Sequence, residues 1–243
     1  MNGAGTDRRP RSALTLAVLA VLAAAGVALL LSLGVWQVQR LAWKTALIER
    51  VEARLDAPAV PAPESDEWAA VTRESAEYRK VQVQGQFLND KAVLTQAVTE
   101  QGAGFWVLTP LVAGDATYLI NRGFVPAATR NDYTRPEGEQ VVSGLLRITE
   151  PKGGFLRSND PVADRWFSRD VAAIAQAQGL TNVAPFFIDA ARSGDAAPVG
   201  GLTVVQFRNS HLSYALTWFA LALGLAGVSV FVGWHEWRLR RDS

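Results

Sequence analysis

Two stretches of the chain lack charge and lack alternation. The first lies between Arg11 and Arg40 and is richest in apolar residues from Ala13 to Val35; the second lies between His211 and His235. Each exceeds the roughly 20 residues that cross about 30 Å of hydrocarbon at about 1.5 Å per residue. Both are read as transmembrane helices. A signal peptide is the alternative for the first run, with Arg8, Arg9 and Arg11 as its basic leader. Its apolar core is longer than the usual stretch of about 7–15 residues, and the small-residue run "AAAG" sits in its middle, so an uncleaved anchor is preferred.

After the first run, "VQRLAWKTALIERVEARL" sets Leu41, Leu47, Ile48, Val51 and Leu55 at helical spacing, with charges on the opposite face. This predicts a helix that continues out of the membrane. "DAPAVPAPESDE" (Asp56–Glu67) has no period and reads as a linker. Beyond it the period falls to two. "YRKVQVQGQF", "KAVLTQAV", "GFWVLTPLV", "ATYLINRGFV", "QVVSGLLRI", "APFFIDA" and "LTVVQFRN" read as strands. "SRDVAAIAQAQGL" reads as a helix between them, with Ser168 as N-cap and Gly179 as its stop.

The chain therefore divides into a tail at 1–12, a span at 13–36, an amphipathic helix and linker at 37–67, a mainly β domain at 68–210, a span at 211–235 and a basic tail at 236–243. The expected fold is a membrane protein with two transmembrane α-helices flanking an α+β, mainly antiparallel β domain, barrel-like or sandwich-like.

Charge orients this plan. Arg8, Arg9, Arg11, Arg238, Arg240 and Arg241 lie on the tails; Arg40, Lys44, Arg50, Arg54 and Arg208 flank the central segment. The two sets nearly balance, but long loops translocate largely regardless of charge, so the short tails weigh more. Both termini are expected in the cytoplasm and the β domain outside. The basic leader is short for an organelle transit peptide, which favours a bacterial inner membrane. The formal net charge of +1 offers no basic excess for nucleic acid. The chain has no cysteine, and its single methionine is Met1. Disulfides, iron–sulfur clusters, thiolate zinc sites and soft sulfur sites for copper(I) are thereby excluded.

Enzyme signatures are poor. "GAGF" lacks the third glycine and the helix of a dinucleotide loop, and no P-loop, GxSxG or HExxH occurs. Ser210 and His211 are neighbours, but no orienting acid can be assigned to them, so no catalytic residue is expected. In "NRGFVP" a strand is expected to end at Asn121, with Gly123 in a tight turn and Pro126 stopping further pairing. Arg122 there is read either as a solvated arginine or as a cationic contact for a partner's carboxylate.

The span helices carry the remaining candidates. His211, Ala215, Trp218 and Ala222 share one helical face, and Ala17, Ala20, Ala24 and Ala28 form a small-residue stripe on the first helix. One reading is close helix packing through small residues, which spacing alone favours. The other is a flat slot beside His211, walled by Trp218 and Tyr214, for a planar macrocycle. His211 itself is either an interfacial helix end or an axial ligand of haem iron through a neutral imidazole. His235, between Trp234 and Trp237 and near three arginines, reads as part of an interfacial belt.

"LGVWQVQRLAWK", "YRKVQVQGQF", "GFWVLTPL", "LINRGFVP", "GLLRITEP", "NDPVADRWFSRD", "PFFIDA" and "RNSHLSYALTWFALA" follow one another in order. In this combination the chain resembles the Surfeit locus protein 1 family, assembly factors of haem-copper terminal oxidases. The resemblance runs from the first span to the second. It implies a two-span, non-enzymatic protein that binds haem a transiently and assists its insertion into the catalytic subunit of cytochrome c oxidase. Its implied partners are that subunit, haem a synthase and the lipid bilayer. It implies His211 as the haem-iron ligand, with the positions of Trp218 and of Arg122-Gly123 carried over from the family; Tyr214 joins Trp218 as an expected haem-pocket residue on spacing, and Arg122 and Gly123 as the expected partner contact. The competing expectation is a membrane scaffold that stabilises the oxidase subunit without holding haem.

Overall fold

A computed structural model of the chain describes residues 11–151, 157–194, 196–203, 205, 207 and 209–241. The described residues fall into two compact units, one within Met1–Glu49 and Gln206–Ser243, the other within Arg50–Val205.

The first unit is a helix pair. Helix α1 runs Ala13–Asp56, with its part up to Glu49 in this unit. Both α1 and the C-terminal helix, His211–Arg241, are long and apolar enough to cross a membrane. Their apolar residues are not a hidden core: Leu14, Val21, Leu22, Leu29, Leu223 and Val230 are all well over half exposed. Faces of this kind are stable only against lipid or another apolar partner. Up to Gln37 the covered positions of α1 are Leu16, Ala23, Gly26, Val27, Leu30, Leu33, Gly34 and Gln37, a stripe at steps near 3.6. Two glycines set its depth. A Cβ on Gly26 would lie 3.0 Å from Leu225 Cδ2, and one on Gly34 would lie 2.5 Å from the Phe219 ring. The stripe of Ala17, Ala20, Ala24 and Ala28 lies on the exposed side. The helices do pack through small residues, but on α1 these are glycines a few positions away from the expected alanines.

The second unit is a β-barrel. Its elements are β1 (Val60–Pro61), α2 (Arg73–Ala76), β2 (Lys80–Phe87), β3 (Val93–Thr99), β4 (Gly102–Ala113), β5 (Ala116–Pro126), β6 (Glu139–Ile148), α3 (Val171–Ala177) and β7 (Val183–Ala190). The order is β1-β2-β6-β7-β5-β4-β3, and β2 also pairs with β4 through Gln86–Val112 and Phe87–Leu111. Strands β2, β6, β7, β5 and β4 thus close a five-stranded barrel, with β1 and β3 added outside it. The barrel alternative is the one realised. Pairing is antiparallel except for β5–β7 and β1–β2.

Strand β2 alternates as read, with Val81, Val83 and Gly85 inward. Strands β5 and β7 are buried on both faces, which explains their nearly unbroken apolar runs. Tyr118, Ile120, Phe186 and Ile188 fill the barrel. Leu119 and Phe187 point the other way, onto Val171 and Ile174 of α3 and the buried Trp166.

Three local expectations need correction. The 56–67 segment is not a free linker: Val60 and Pro61 pair with Val81 and Gln82, and the Pro63 carbonyl accepts hydrogen bonds from Trp68 Nε1 and the Tyr118 hydroxyl. The N-cap of α3 is Asp170, whose carboxylate accepts the Ala173 N–H at 3.1 Å, while the Ser168 hydroxyl accepts from Asn159. Gly179 does end the turn, at φ +58°. "LTVVQFRN" falls partly outside the described residues, at positions 204, 206 and 208, and its described positions belong to no strand.

Candidate functional site

His211 opens the C-terminal helix, here α4 (His211–Arg241). Its ring nitrogen Nδ1 lies 2.7 Å from Oε1 of Gln37 on α1. An amide oxygen only accepts, so Nδ1 carries the proton and donates. With the proton on Nδ1 the other nitrogen, Nε2, is the one left to accept, and among the described residues nothing bonds it. This is the tautomer for ligation through Nε2. Gln37 is only 9% exposed. It sits one turn beyond Gly34, on the same face, where the absent Cβ lets the helices approach. Sequence reasoning missed Gln37, because its partner is 174 residues away and nothing local marks it.

The other predicted residues separate. Ala215 and Ala222 are 2% exposed and turned into the helix seam, so they form no open slot. Trp218 is half-buried and Tyr214 is 55% exposed. At i+3 and i+7 from His211 they run along the flank of the seam on the histidine's side. Tyr214 and Trp218, and not the two alanines, are the candidate side chains left open on α4. Cations lie nearby on α1: the Arg40 guanidinium is 4.9 Å from the Trp43 ring centre, and Lys44 Nζ is 4.9 Å from that of Phe207. These are cation–π pairs.

His235 stands 24 residues further along α4, about 36 Å by helical rise. It is exposed and stacks on Phe231 at 6.2 Å and 9°. Arg238 lies over Trp234 at 3.7 Å and Arg241 over Trp237 at 5.1 Å. At this end Glu236 is buried and bonds to Arg11.

In the barrel, Arg122 and Gly123 are not at a strand end. Strand β5 continues to Pro126, with Phe124 opposite Trp106 and Asn121 opposite Leu108. Two residues, Arg122 and Gly123, thus oppose Val107 alone: a β-bulge. Gly123 has φ +134°, and a Cβ there would lie 2.3 Å from the Val199 carbonyl. The glycine admits the 199–200 segment, which bridges to Phe124 through Phe124 N–H to Val199 O and the reverse, each 2.9 Å.

The bulge turns Arg122 inward. Its Nη2 donates to the Thr134 carbonyl at 2.7 Å, its guanidinium lies 5.1 Å from the Phe87 ring centre, and its Nη1 is buried without a partner. Burial lowers its pKa, partly offset by Tyr133 and deepened by Arg135. It is half-buried rather than freely solvated, and it ties the 134 loop to the barrel.

The strongest charge cluster surrounds Asp189 on β7, and no motif announced it. Its carboxylate meets Arg147 Nη1 at 2.8 Å, Arg169 Nη1 at 3.2 Å, Asn121 Nδ2 at 2.7 Å and the Thr203 hydroxyl at 2.8 Å. Glu150 bridges the two arginines, and Glu77 flanks Arg147 at 3.6 Å. Burial alone would lower the pKa of Arg147, but Asp189, Glu150, Tyr78 and Glu77 together raise it. Every charge here has an opposite partner, so the cluster reads as a structural pin that joins β6 and β7 to Glu150 and Arg169.

The sequence model described as the SURF1 family matches residues 24–223, from within α1 to within α4. Surfeit locus protein 1 of Homo sapiens is 36% identical, over 78% of this chain and 69% of its own length. That of Xenopus tropicalis is 35% identical, over 78% and 67%. The SURF1-like protein of Caenorhabditis elegans is 32% identical, over 85% and 70%. With the match enclosing the whole barrel and reaching both the Gln37 and His211 positions, this chain belongs to the SURF1 family.

Proposed function

We propose that this protein is an assembly factor for haem-copper cytochrome c oxidase that holds haem a and presents it to the catalytic subunit. The family membership supports the assembly role. The observation that carries the haem reading is the His211–Gln37 pair, because it uses Nδ1 and leaves Nε2 unbonded among the described residues, on a helix that carries an exposed tyrosine and a half-buried tryptophan three and seven residues on. Haem a would supply a Lewis-acidic iron and an apolar ring edge. His211 would hold it through Nε2, Tyr214 and Trp218 would pack against the ring, and the exposed apolar faces of α1 and α4 would keep the site beside the membrane where an apolar cargo partitions.

One histidine with few further contacts suits transfer, since the ligand must be given up to the receiving subunit. The role is holding, without bond-making in the cargo. In this reading α1 and α4 cross a bacterial inner membrane with both termini cytoplasmic and the barrel outside. Haem a synthase is the donor and the oxidase subunit the recipient.

A scaffold without haem is the second reading. The exposed stripe of Ala17, Ala20, Ala24 and Ala28 favours it, because small residues on a lipid-facing surface suit another helix. The two part on one measurement. The full chain is co-produced with the haem a pathway, purified in detergent and compared with His211→Ala. Haem in the parent and little in the variant is expected. Equal haem in both refutes the ligand, and haem in neither leaves the scaffold.

A further inference from the structure

We propose that Gln37 is a positioning residue for His211, selecting the tautomer and ring orientation in which Nε2 can bind a metal. The inference rests on the haem reading above and extends it to a residue on the other helix. Gln37 and Glu236 are the buried polar side chains of the helix pair among the described residues. A carboxamide enclosed in such a seam is costly unless its oxygen is used. Its oxygen is used once, on Nδ1 of His211 at 2.7 Å.

The chemistry of that contact is directional. A free histidine side chain favours the Nε2–H form, which leaves the lone pair on Nδ1, close to the backbone and poorly placed for a large ligand. An acceptor at Nδ1 reverses this, putting the proton on Nδ1 and the lone pair on Nε2. It also stops rotation of the ring and raises the basicity of Nε2. A carboxylate at the same place would do so more strongly, pulling the imidazole toward imidazolate. An amide gives an oriented ligand of moderate strength, the combination a reversible carrier requires. Because donor and acceptor stand on different helices, the orientation persists only while α1 and α4 stay packed at Gly34 and Phe219.

The test exploits a chain with two histidines. The full protein is labelled with ¹⁵N-histidine and placed in lipid nanodiscs without haem. His235→Asn assigns the second imidazole. At alkaline pH, where both rings are neutral, His211 is expected as the Nδ1–H tautomer. Gln37→Leu is expected to shift it toward Nε2–H, and the isosteric Gln37→Glu to retain Nδ1–H. An unchanged tautomer in Gln37→Leu overturns the proposal without involving haem.

In a second arm, haem a is co-produced. Gln37→Leu is expected to lose affinity by about 10–100-fold, the range for partners behind a metal ligand. Gln37→Glu is expected to retain haem with a lowered midpoint potential. Equal haem in His211→Ala and the parent overturns the ligand reading itself. Parental haem affinity in Gln37→Leu, beside a haem-free His211→Ala, overturns the positioning role alone.

Discussion

Glu236 and Arg11 clasp the helix pair at the end remote from His211. The Arg11 main-chain N–H donates to Glu236 Oε2 at 3.1 Å, and the Arg11 guanidinium lies 3.6 Å from Oε1. Arg240 donates to the Arg11 carbonyl at 2.8 Å. The guanidinium contact is half exposed and contributes little; the main-chain contact to a buried carboxylate is the stronger part. Glu236→Ala should therefore loosen this end. Spin labels on cysteines replacing Leu14 and Trp237, in a chain with no other cysteine, would read it. The parent should give a narrow distance distribution and the variant a broad one; equal widths would remove the clasp from the account.

Asp189→Asn should destabilise the barrel severely. The change leaves Arg147 and Arg169 facing each other with one carboxylate fewer, and broken buried charge pairs cost about 3–5 kcal/mol. Urea unfolding of the full chain in detergent, followed by tryptophan fluorescence, measures it. A loss below about 1 kcal/mol would mean the cluster is well hydrated and not a pin.

Gly123→Ala should cost at least about 1–3 kcal/mol, because an L-residue at φ +134° is strained and its Cβ meets the Val199 carbonyl. The variant should melt lower and show faster proteolysis around residue 199. Gly114→Ala is the control for backbone strain alone, since φ is +62° there and a Cβ meets nothing within 4 Å. Equal losses in the two would show that the close approach contributes nothing.

The barrel should weaken in alkali through Tyr118. Burial, then Glu64, Asp115 and Glu67, raise the pKa of this phenol above its ordinary value. Its hydroxyl donates to the Pro63 carbonyl at 3.0 Å. A folded-state pKa above the unfolded one means that the native state binds more protons between the two. Stability is then complete below about pH 10, the unfolded value, and falls as pH rises toward the folded one. Tyr118→Phe should flatten that decline while costing stability at neutral pH. An alkaline limb of unchanged slope would assign it to other groups.

The parts of this molecule that were legible in the sequence are those carried by a repeating signal. Uninterrupted hydropathy gave α1 and α4, alternation gave β2, and short apolar runs between turn residues gave β3 through β7. What escaped depends on partners far along the chain. Val60 and Pro61 look like linker because a two-residue parallel strand has no signal of its own; Val81 and Gln82 make it a strand. The Arg122–Gly123 pair reads as a turn because a bulge and a turn both use a left-handed glycine, and only the Leu108–Asn121 register separates them. His211 was legible as a candidate; the residue that fixes its proton was not, since a glutamine in an apolar run announces burial but not its partner.

The position of β7 bears on the order in which the protein can be made. It lies between β5 and β6, which do not otherwise pair, yet among the described residues it is the last strand along the chain. Until residues 183–190 arrive, β5 and β6 each present an unsatisfied edge, and the ring cannot close. The preceding strands can form hairpins during synthesis, but the cooperative core waits for the final one, just before α4 emerges. A ribosome stalled between β6 and β7 would leave an open, adhesive sheet behind α1, a natural substrate for surveillance proteases.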